Sequence, residues 1–127
     1  MIAKLSGFVD STSDDSLIID VNGVGYHVFC SSRTLNAVAV IEGSVSLYIE
    51  THVREDHIHL FGFSDQYEQA WFRLLTTVQG VGAKVALAML SAISPDALAQ
   101  AIAAQDKAAI THAPGVGPKL ATRIVTE

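Results

Sequence analysis

The stretch Gly80-Val81-Gly82-Ala83-Lys84-Val85-Ala86 returns 35 positions later as Gly115-Val116-Gly117-Pro118-Lys119-Leu120-Ala121. A phrase that repeats within one chain indicates a repeated structural unit. Each copy follows one helical pattern and begins another, which predicts a tight turn between two helices. Glycine is expected there because φ is positive or because something approaches the backbone closely. We expect the apolar residue at each tip, Val81 or Val116, to pack back between the helices.

The start of the second helix in each copy can bind an anion. The first amides of a helix have no intrahelical acceptor and lie at the positive end of its dipole, and glycine lets a phosphate reach them. Lys84 or Lys119 adds a cation two residues after the second glycine, and Arg123 lies one helical turn beyond Lys119. Two such turns suit the two phosphate rows of a nucleic-acid duplex. The alternative is that both are ordinary helix C-caps.

The known nucleotide-binding glycine motifs fit neither copy. A Walker loop follows a strand and ends in Gly-Lys-Ser/Thr, and a dinucleotide fingerprint needs a third glycine. This chain has Val85 and Leu120 at the third-glycine positions. The sequence therefore predicts no ATP or NAD site, and no cofactor.

Size and composition allow one domain or two small ones, since 127 residues of which 50% are apolar can build a core. No apolar run approaches membrane-spanning length, and the start lacks the layout of a signal peptide. Cys30 is the only cysteine. We therefore expect no internal disulfide, a buried inert thiol and a reducing cytosol as the compartment.

The net charge of −5 is unevenly distributed. Residues 1–63 carry three cations and eight carboxylates, whereas residues 64–127 carry five of each. Three of the five cations in the second half follow the glycine turns. The distribution, more than the sum, bears on nucleic-acid binding, so the acidic total is compatible with a local phosphate site.

The first half is predicted to form a small β-barrel. The predicted strands are residues 2–9, 16–21, 24–29, 45–53 and 58–63, with a helical turn around Leu35. Asn22-Gly23 is a strong signal for a two-residue hairpin. A closed barrel is favoured because a flat sheet of short strands would leave exposed edges. Strand order along the chain leaves an oligonucleotide-binding (OB) type and an SH3-like barrel both open.

Arg54-Glu55-Asp56 is predicted to be the tip between the last two strands. Its paired carboxylates suit acid–base catalysis or a metal, but a solvated hairpin has the same composition. His57 and His59 alternate, so both are expected on one side of a strand. A metal site would need a third ligand, and the sequence offers none in evident range.

Everything after residue 64 is predicted to be helical. Asp65 and Glu68 form a capping-box-like start, and the spacing of Trp71, Phe72, Leu74 and Leu75 favours core packing over stacking on bases. Further helices are predicted at residues 84–92, 95–104, 107–111 and from 118 onward. The last helix still runs at Glu127, so we expect the chain to be a fragment of a longer protein.

Together these parts closely resemble the bacterial RuvA family, the Holliday-junction-recognition subunit of the RuvAB branch-migration complex. The resemblance covers the whole chain. It is carried by Met1-Ile2-Ala3, Val53-Arg54-Glu55-Asp56, Leu60-Phe61-Gly62-Phe63 and the two glycine turns. The glycine turns alone are shared with many repair proteins, whereas their combination with an acidic tip on a barrel is specific.

The resemblance implies an α+β protein, with residues 1–63 as an all-β OB-fold barrel and residues 64–127 as an all-α domain of two helix-hairpin-helix motifs. It implies a homotetramer, two of which can form an octamer around four-way junction DNA held by its minor-groove backbone. Glu55 and Asp56 match the family's acidic pin. The residues that match its DNA-binding positions are Gly80, Val81, Gly82, Ala83, Lys84, Gly115, Val116, Gly117, Pro118, Lys119 and Arg123.

Family members often have a cation where this chain has Pro118, which implies a weaker phosphate contact. The third domain that engages the RuvB motor has no counterpart in these residues. Three other functions stay open. One is a generic helix-hairpin-helix duplex binder, one is a repair nuclease or glycosylase with Glu55 and Asp56 catalytic, and one is a protein-docking role for the turns.

Overall fold

A computed structural model describes residues 1–126 of the chain. Its backbone forms two compact units, one of Met1–Gln69 and one from Ala70 onward; the division into domains after residue 63 stays a prediction. The strands are β1 (Lys4–Thr12), β2 (Ser16–Val21), β3 (Val24–Cys30), β4 (Val45–Val53) and β5 (Ile58–Phe63). The helices are α1 (Ser32–Ala39), α2 (Gln66–Thr76), α3 (Ala83–Ala92), α4 (Pro95–Ala103), α5 (Lys107–Thr111) and α6 (Pro118–Thr126). The expectation that the last helix continues at Glu127 lies outside the described residues.

The five strands close into a barrel in the order β1-β2-β3-β5-β4. All neighbouring strands are antiparallel except β3 and β5, which pair in parallel from Val28 opposite Leu60 to Cys30 opposite Gly62. Helix α1 lies between β3 and β4 in the chain, where the sequence predicted a single helical turn. This pairing order is that of an OB-type barrel and excludes the SH3-like alternative.

Strand β1 differs from its predicted range. It begins at Lys4 and ends at Thr12, three residues beyond the predicted end, with a shift in register against β2 between Val9 and Ser11. A bulge of this kind bends a strand and helps a sheet curve into a barrel. The predicted Asn22-Gly23 turn is confirmed, with φ of 54° and 90° at its two residues and the Gly23 N–H donating to Asp20 Oδ1 at 2.7 Å.

The capping box predicted at the start of α2 is only half formed. The Glu68 N–H donates to Asp65 Oδ1 at 2.7 Å, so Asp65 caps the helix as expected. The Glu68 carboxylate instead lies buried in the first unit, where it accepts the hydroxyls of Ser31 at 2.8 Å and Thr34 at 2.6 Å. The carboxylate gains two charge-assisted hydrogen bonds from these hydroxyls, which is more than its own helix end would give it.

The core prediction for α2 is correct at two of its four positions. Phe72 and Leu75 are buried, whereas Leu74 is 55% exposed and Trp71 is half-buried. Trp71 and Leu74 line a cavity of about 70 Å³ in the second unit, together with other apolar side chains. They lie at the edge of the apolar face of the helix, and sequence spacing does not distinguish that edge from its centre.

No single helix within residues 1–126 is long and apolar enough to cross a membrane; α3 and α4 reach that length only as a pair bent by 98°.

Candidate nucleic-acid interface

The two repeated turns, called hairpin 1 (residues 80–84) and hairpin 2 (residues 115–119), have the same backbone path. Gly80 and Gly115 both have positive φ, 95° and 85°, a region that non-glycine residues enter only at a cost. Val81 and Val116 are buried as predicted, 5% and 6% exposed. The repeat in sequence is therefore a repeat in conformation.

The side chains of the two valines are buried, and their amides are hydrogen-bonded within the turn. The Val81 N–H donates to the Val78 carbonyl at 3.0 Å, and the Val116 N–H donates to the Ala113 carbonyl at 3.2 Å. Both valines therefore lock the turn, and their place among the DNA-binding positions stays a prediction. The amides that can face an anion come later, at the start of the second helix.

The hydrogen-bond ladder of each second helix begins four residues after the second glycine. The Ala86 N–H donates to the Gly82 carbonyl at 3.0 Å, and the Ala121 N–H donates to the Gly117 carbonyl at 2.9 Å. In each hairpin, the amides of the three residues between the second glycine and this first bonded residue have no intrahelical acceptor. In hairpin 1 these include the amide of Ala83, whereas Pro118 at the same position has no N–H. Hairpin 2 therefore offers one donor fewer.

Space and charge at the second glycine of each hairpin suit an anion. A Cβ at Gly82 or Gly117 would meet no atom within 4 Å, so the backbone there faces open space. Lys84 and Lys119 are exposed, and neither pairs with a carboxylate among residues 1–126. A phosphate that reaches these amides would have a mobile cation beside it.

The two hairpins pack against each other's helices within the second unit. A Cβ on Gly80 would lie 3.3 Å from both Leu120 Cδ1 and Arg123 Nη1 on α6, and a Cβ on Gly115 would lie 3.7 Å from Val85 Cγ2 on α3. Val85 and Leu120 occupy equivalent positions of the repeat. The packing is therefore reciprocal, which gives the unit an approximate internal twofold relation.

Arg123 does not simply extend the cationic face of Lys119. Its Nη1 donates to the Gln79 carbonyl at 3.1 Å, so the side chain joins α6 to the residue before hairpin 1. Helical spacing predicted that Arg123 lies on the same helix face as Lys119. It gave no information on a contact 44 residues away. An arginine has five N–H donors, so this bond occupies only part of the guanidinium.

The acidic tip, Arg54-Glu55-Asp56, is an exposed turn between β4 and β5. The Arg54 N–H donates to the His57 carbonyl at 2.8 Å and closes it. The rings of His57 and His59 stack at 4.0 Å, which confirms that they share one side of the strand. His57 Nε2 lies 3.8 Å from Asp56 Oδ1. Within residues 1–126, no three histidine, cysteine or acidic side chains are arranged to hold a metal ion.

An aromatic row on the barrel was missed at the level of sequence. The His27 and Phe29 rings lie 4.8 Å apart, and those of Phe29 and His59 lie 5.3 Å apart. Aromatic rings alternate along β3 and β5 in the sequence. The sequence did not show that these two strands pair, so the row could not be predicted. Nearby, burial and then the Arg54 cation lower the pKa of His52.

Cys30 is buried, as predicted. Burial raises the pKa of its thiol to about 12. The thiolate is the reactive form of cysteine, so this side chain is chemically inert at neutral pH.

The fold and these turns define an α+β protein that joins an OB-type barrel to a tandem of helix-hairpin-helix motifs. A family model described as "RuvA N terminal domain" matches residues 1–62, and one described as "SAM-like Helix-hairpin-helix tandem" matches residues 72–127. Residues 1–62 therefore form a RuvA N-terminal domain, and the whole chain is similar to proteins named RuvA.

Similar curated proteins match along all 127 residues. "Holliday junction branch migration complex subunit RuvA" of Paramagnetospirillum magneticum is 63% identical, and the match covers 59% of that protein. Proteins of the same name from Rhodopseudomonas palustris and Acidiphilium cryptum are 60% and 59% identical, and 62% of each is covered. The chain thus spans about three fifths of the length of these relatives.

Proposed function

We propose that this chain binds four-way (Holliday) junction DNA without regard to sequence and guides its arms during branch migration in recombination and repair. The observation that carries the proposal is the pair of hairpins with one backbone conformation, each with an open glycine and an exposed lysine. In this proposal hairpins 1 and 2 hold the two sugar-phosphate strands that border the minor groove of one arm.

The chemistry of such contacts explains the lack of sequence preference. Backbone amides and lysines bind phosphate oxygens, which carry no base information, and they release counterions as they bind. Selectivity for a junction then arises from geometry. In a homotetramer, alone or paired as an octamer, four arms bound at fourfold-related sites become strong together through effective concentration.

The acidic tip acts as a pin at the crossover in this proposal. Glu55 and Asp56 are exposed at the end of a closed hairpin, so four chains would bring eight carboxylates toward one centre. Like charges a few ångströms apart repel by about 1 kcal/mol or more per pair, depending on the local dielectric. Such a centre would repel phosphates, disfavour plain duplex and help to part the strands.

The chain performs no catalysis of its own in this proposal. A RuvB-type ATPase in the cytoplasm would supply the work, and its contact would belong to parts of the longer relatives that these residues do not cover. Junction binding by residues 1–127 can therefore be tested without the motor.

The test compares affinity for a four-way junction with affinity for linear duplex over a range of salt, with assembly mass measured alongside. We expect a large preference for the junction, with a steep salt dependence. Equal affinity for both DNAs, or cleavage of the junction with magnesium that Glu55→Gln abolishes, would contradict the proposal.

The pin is tested with the double variant Glu55→Gln, Asp56→Asn. Junction affinity should stay the same or rise, because repulsion is removed, and the preference over linear duplex should fall. Glu42→Gln, an exposed carboxylate elsewhere in the barrel unit, is the matched control and should change neither quantity. A sharp loss of junction binding in the double variant would show that the tip is not a pin.

A further inference from the structure

The hydrogen bond from Arg123 to the Gln79 carbonyl, 3.1 Å long, is an asymmetric feature in a nearly symmetric pair of motifs. The reciprocal packing of Gly80 on α6 and Gly115 on α3 follows the repeat. The arginine does not, because the equivalent position in the first copy is Ala88. The second motif thus donates a side-chain hydrogen bond to the first, and the first has no equivalent donor at Ala88.

The place of this bond bears on both phosphate sites. Gln79 immediately precedes the positive-φ glycine of hairpin 1, and Arg123 lies on the helix whose first turn forms the site of hairpin 2. Arg123 Nη1 also lies 3.3 Å from the position that a Cβ of Gly80 would occupy, so the guanidinium packs against the turn itself. A change in the separation of the two hairpins would break both contacts.

We propose that Arg123 is a positioning residue that fixes the separation of the two hairpins and thereby sets the backbone geometry of the duplex they accept. This inference rests on the proposed function for its DNA readouts. Two sites at a fixed separation fit a duplex whose phosphate rows have the matching spacing across the minor groove. The wide, shallow minor groove of A-form RNA presents a different spacing. Arg123 would therefore confer a preference for B-form duplex.

A phosphate contact and a positioning contact predict different results for the same variants. Arg123→Gln removes the cation, and Arg123→Lys keeps the charge but loses the planar fork. If Arg123 positions the hairpins, both variants should lower the affinity for linear DNA duplex about fivefold, a normal size for coupled neighbours. Both should leave the affinity for an RNA duplex of the same sequence unchanged. The slope of log affinity against log salt should stay the same.

If Arg123 only binds phosphate, Arg123→Lys should resemble the unsubstituted protein. Arg123→Gln should then reduce the salt slope by about 0.9, the value of one lost contact, and weaken both duplexes. That pattern would overturn the inference. Lys107→Gln, an exposed cation on α5, is the control for net charge and should leave the DNA-to-RNA ratio unchanged.

Hydrogen exchange without DNA separates this inference from the proposed function. In Arg123→Gln the Val81 amide, which closes hairpin 1, should exchange at least severalfold faster. The Val116 amide of hairpin 2 should keep its rate. Equal rates at Val81 in the two proteins would overturn the positioning role, whatever the DNA affinity. If the unsubstituted chain shows no salt-dependent DNA binding, the proposed function fails while the exchange result still decides this one.

Discussion

Hairpins 1 and 2 have the same backbone conformation but different side chains. Both have a positive-φ glycine, a buried valine that donates to a carbonyl three residues back, and a helix that begins directly after the second glycine. They differ at the first residue of that helix, Ala83 in one and Pro118 in the other, and at the position of Ala88 and Arg123.

The difference shows that the shape of the turn and the number of amides it offers to a ligand depend on separate residues. Glycine and valine set the conformation, since one permits positive φ and the other packs the tip. The residue at the first helical position decides how many amides remain for a ligand, because proline fits there without strain but donates nothing. The two turns are thus equal in shape but offer unequal numbers of amides to a ligand.

The largest expected effect concerns the glycines that set the shape. Gly80→Ala should lower the free energy of unfolding by about 2 kcal/mol and Gly115→Ala by about 1 kcal/mol, because an L-residue at positive φ costs about 1–2 kcal/mol. Of these two glycines, only Gly80 would also place the new methyl in a crowded position, 3.3 Å from two side-chain atoms. Urea unfolding measures both.

Gly43→Ala is the control for this comparison. Gly43 has φ of 98°, and a Cβ added there would meet no atom within 4 Å, so the variant reports backbone strain alone. Its cost should match that of Gly115→Ala. If Gly80→Ala costs no more than Gly43→Ala, hairpin 1 packs on α6 more loosely than the 3.3 Å separations indicate.

The next effect concerns the lysines. Lys84→Ala and Lys119→Ala should each weaken linear duplex binding about fivefold at 0.15 M salt and reduce the salt slope by about 0.9, the contribution of one phosphate contact. Fluorescence anisotropy at several salt concentrations measures both quantities. Unchanged affinity in the double variant would favour a protein-docking role for the hairpins.

The smallest effect exchanges the residues at the first helical position. Ala83→Pro removes an amide from hairpin 1 and should weaken duplex binding about threefold, whereas Pro118→Ala adds one to hairpin 2 and should strengthen it by a similar factor, the lower range of one net hydrogen bond. Proline at this position is compatible with a helix, so unfolding should change little. Opposite signs at the two sites are the decisive result; equal signs would show that these amides do not bind the DNA.

Much of the fold was readable because it depends on local chemistry. Asn22-Gly23 predicted its hairpin, Asp65 predicted the start of α2, and the repeated glycines predicted two turns of one shape. The predictions failed where distant residues decide the outcome. Glu68 binds Ser31 and Thr34 instead of its own helix end. The bond from Arg123 to Gln79 was not expected from the sequence either, while the phosphate contact of Arg123 stays a prediction.

The sequence by itself determined the two helix turns, the acidic tip and the division between strands and helices, because glycine, proline and residue spacing act within a few residues. Tertiary structure alone decided that β3 and β5 pair in parallel, which makes the barrel OB-like. It also decided that the hairpins brace each other. Contacts between residues far apart depend on how whole elements pack, and local patterns carry no record of that.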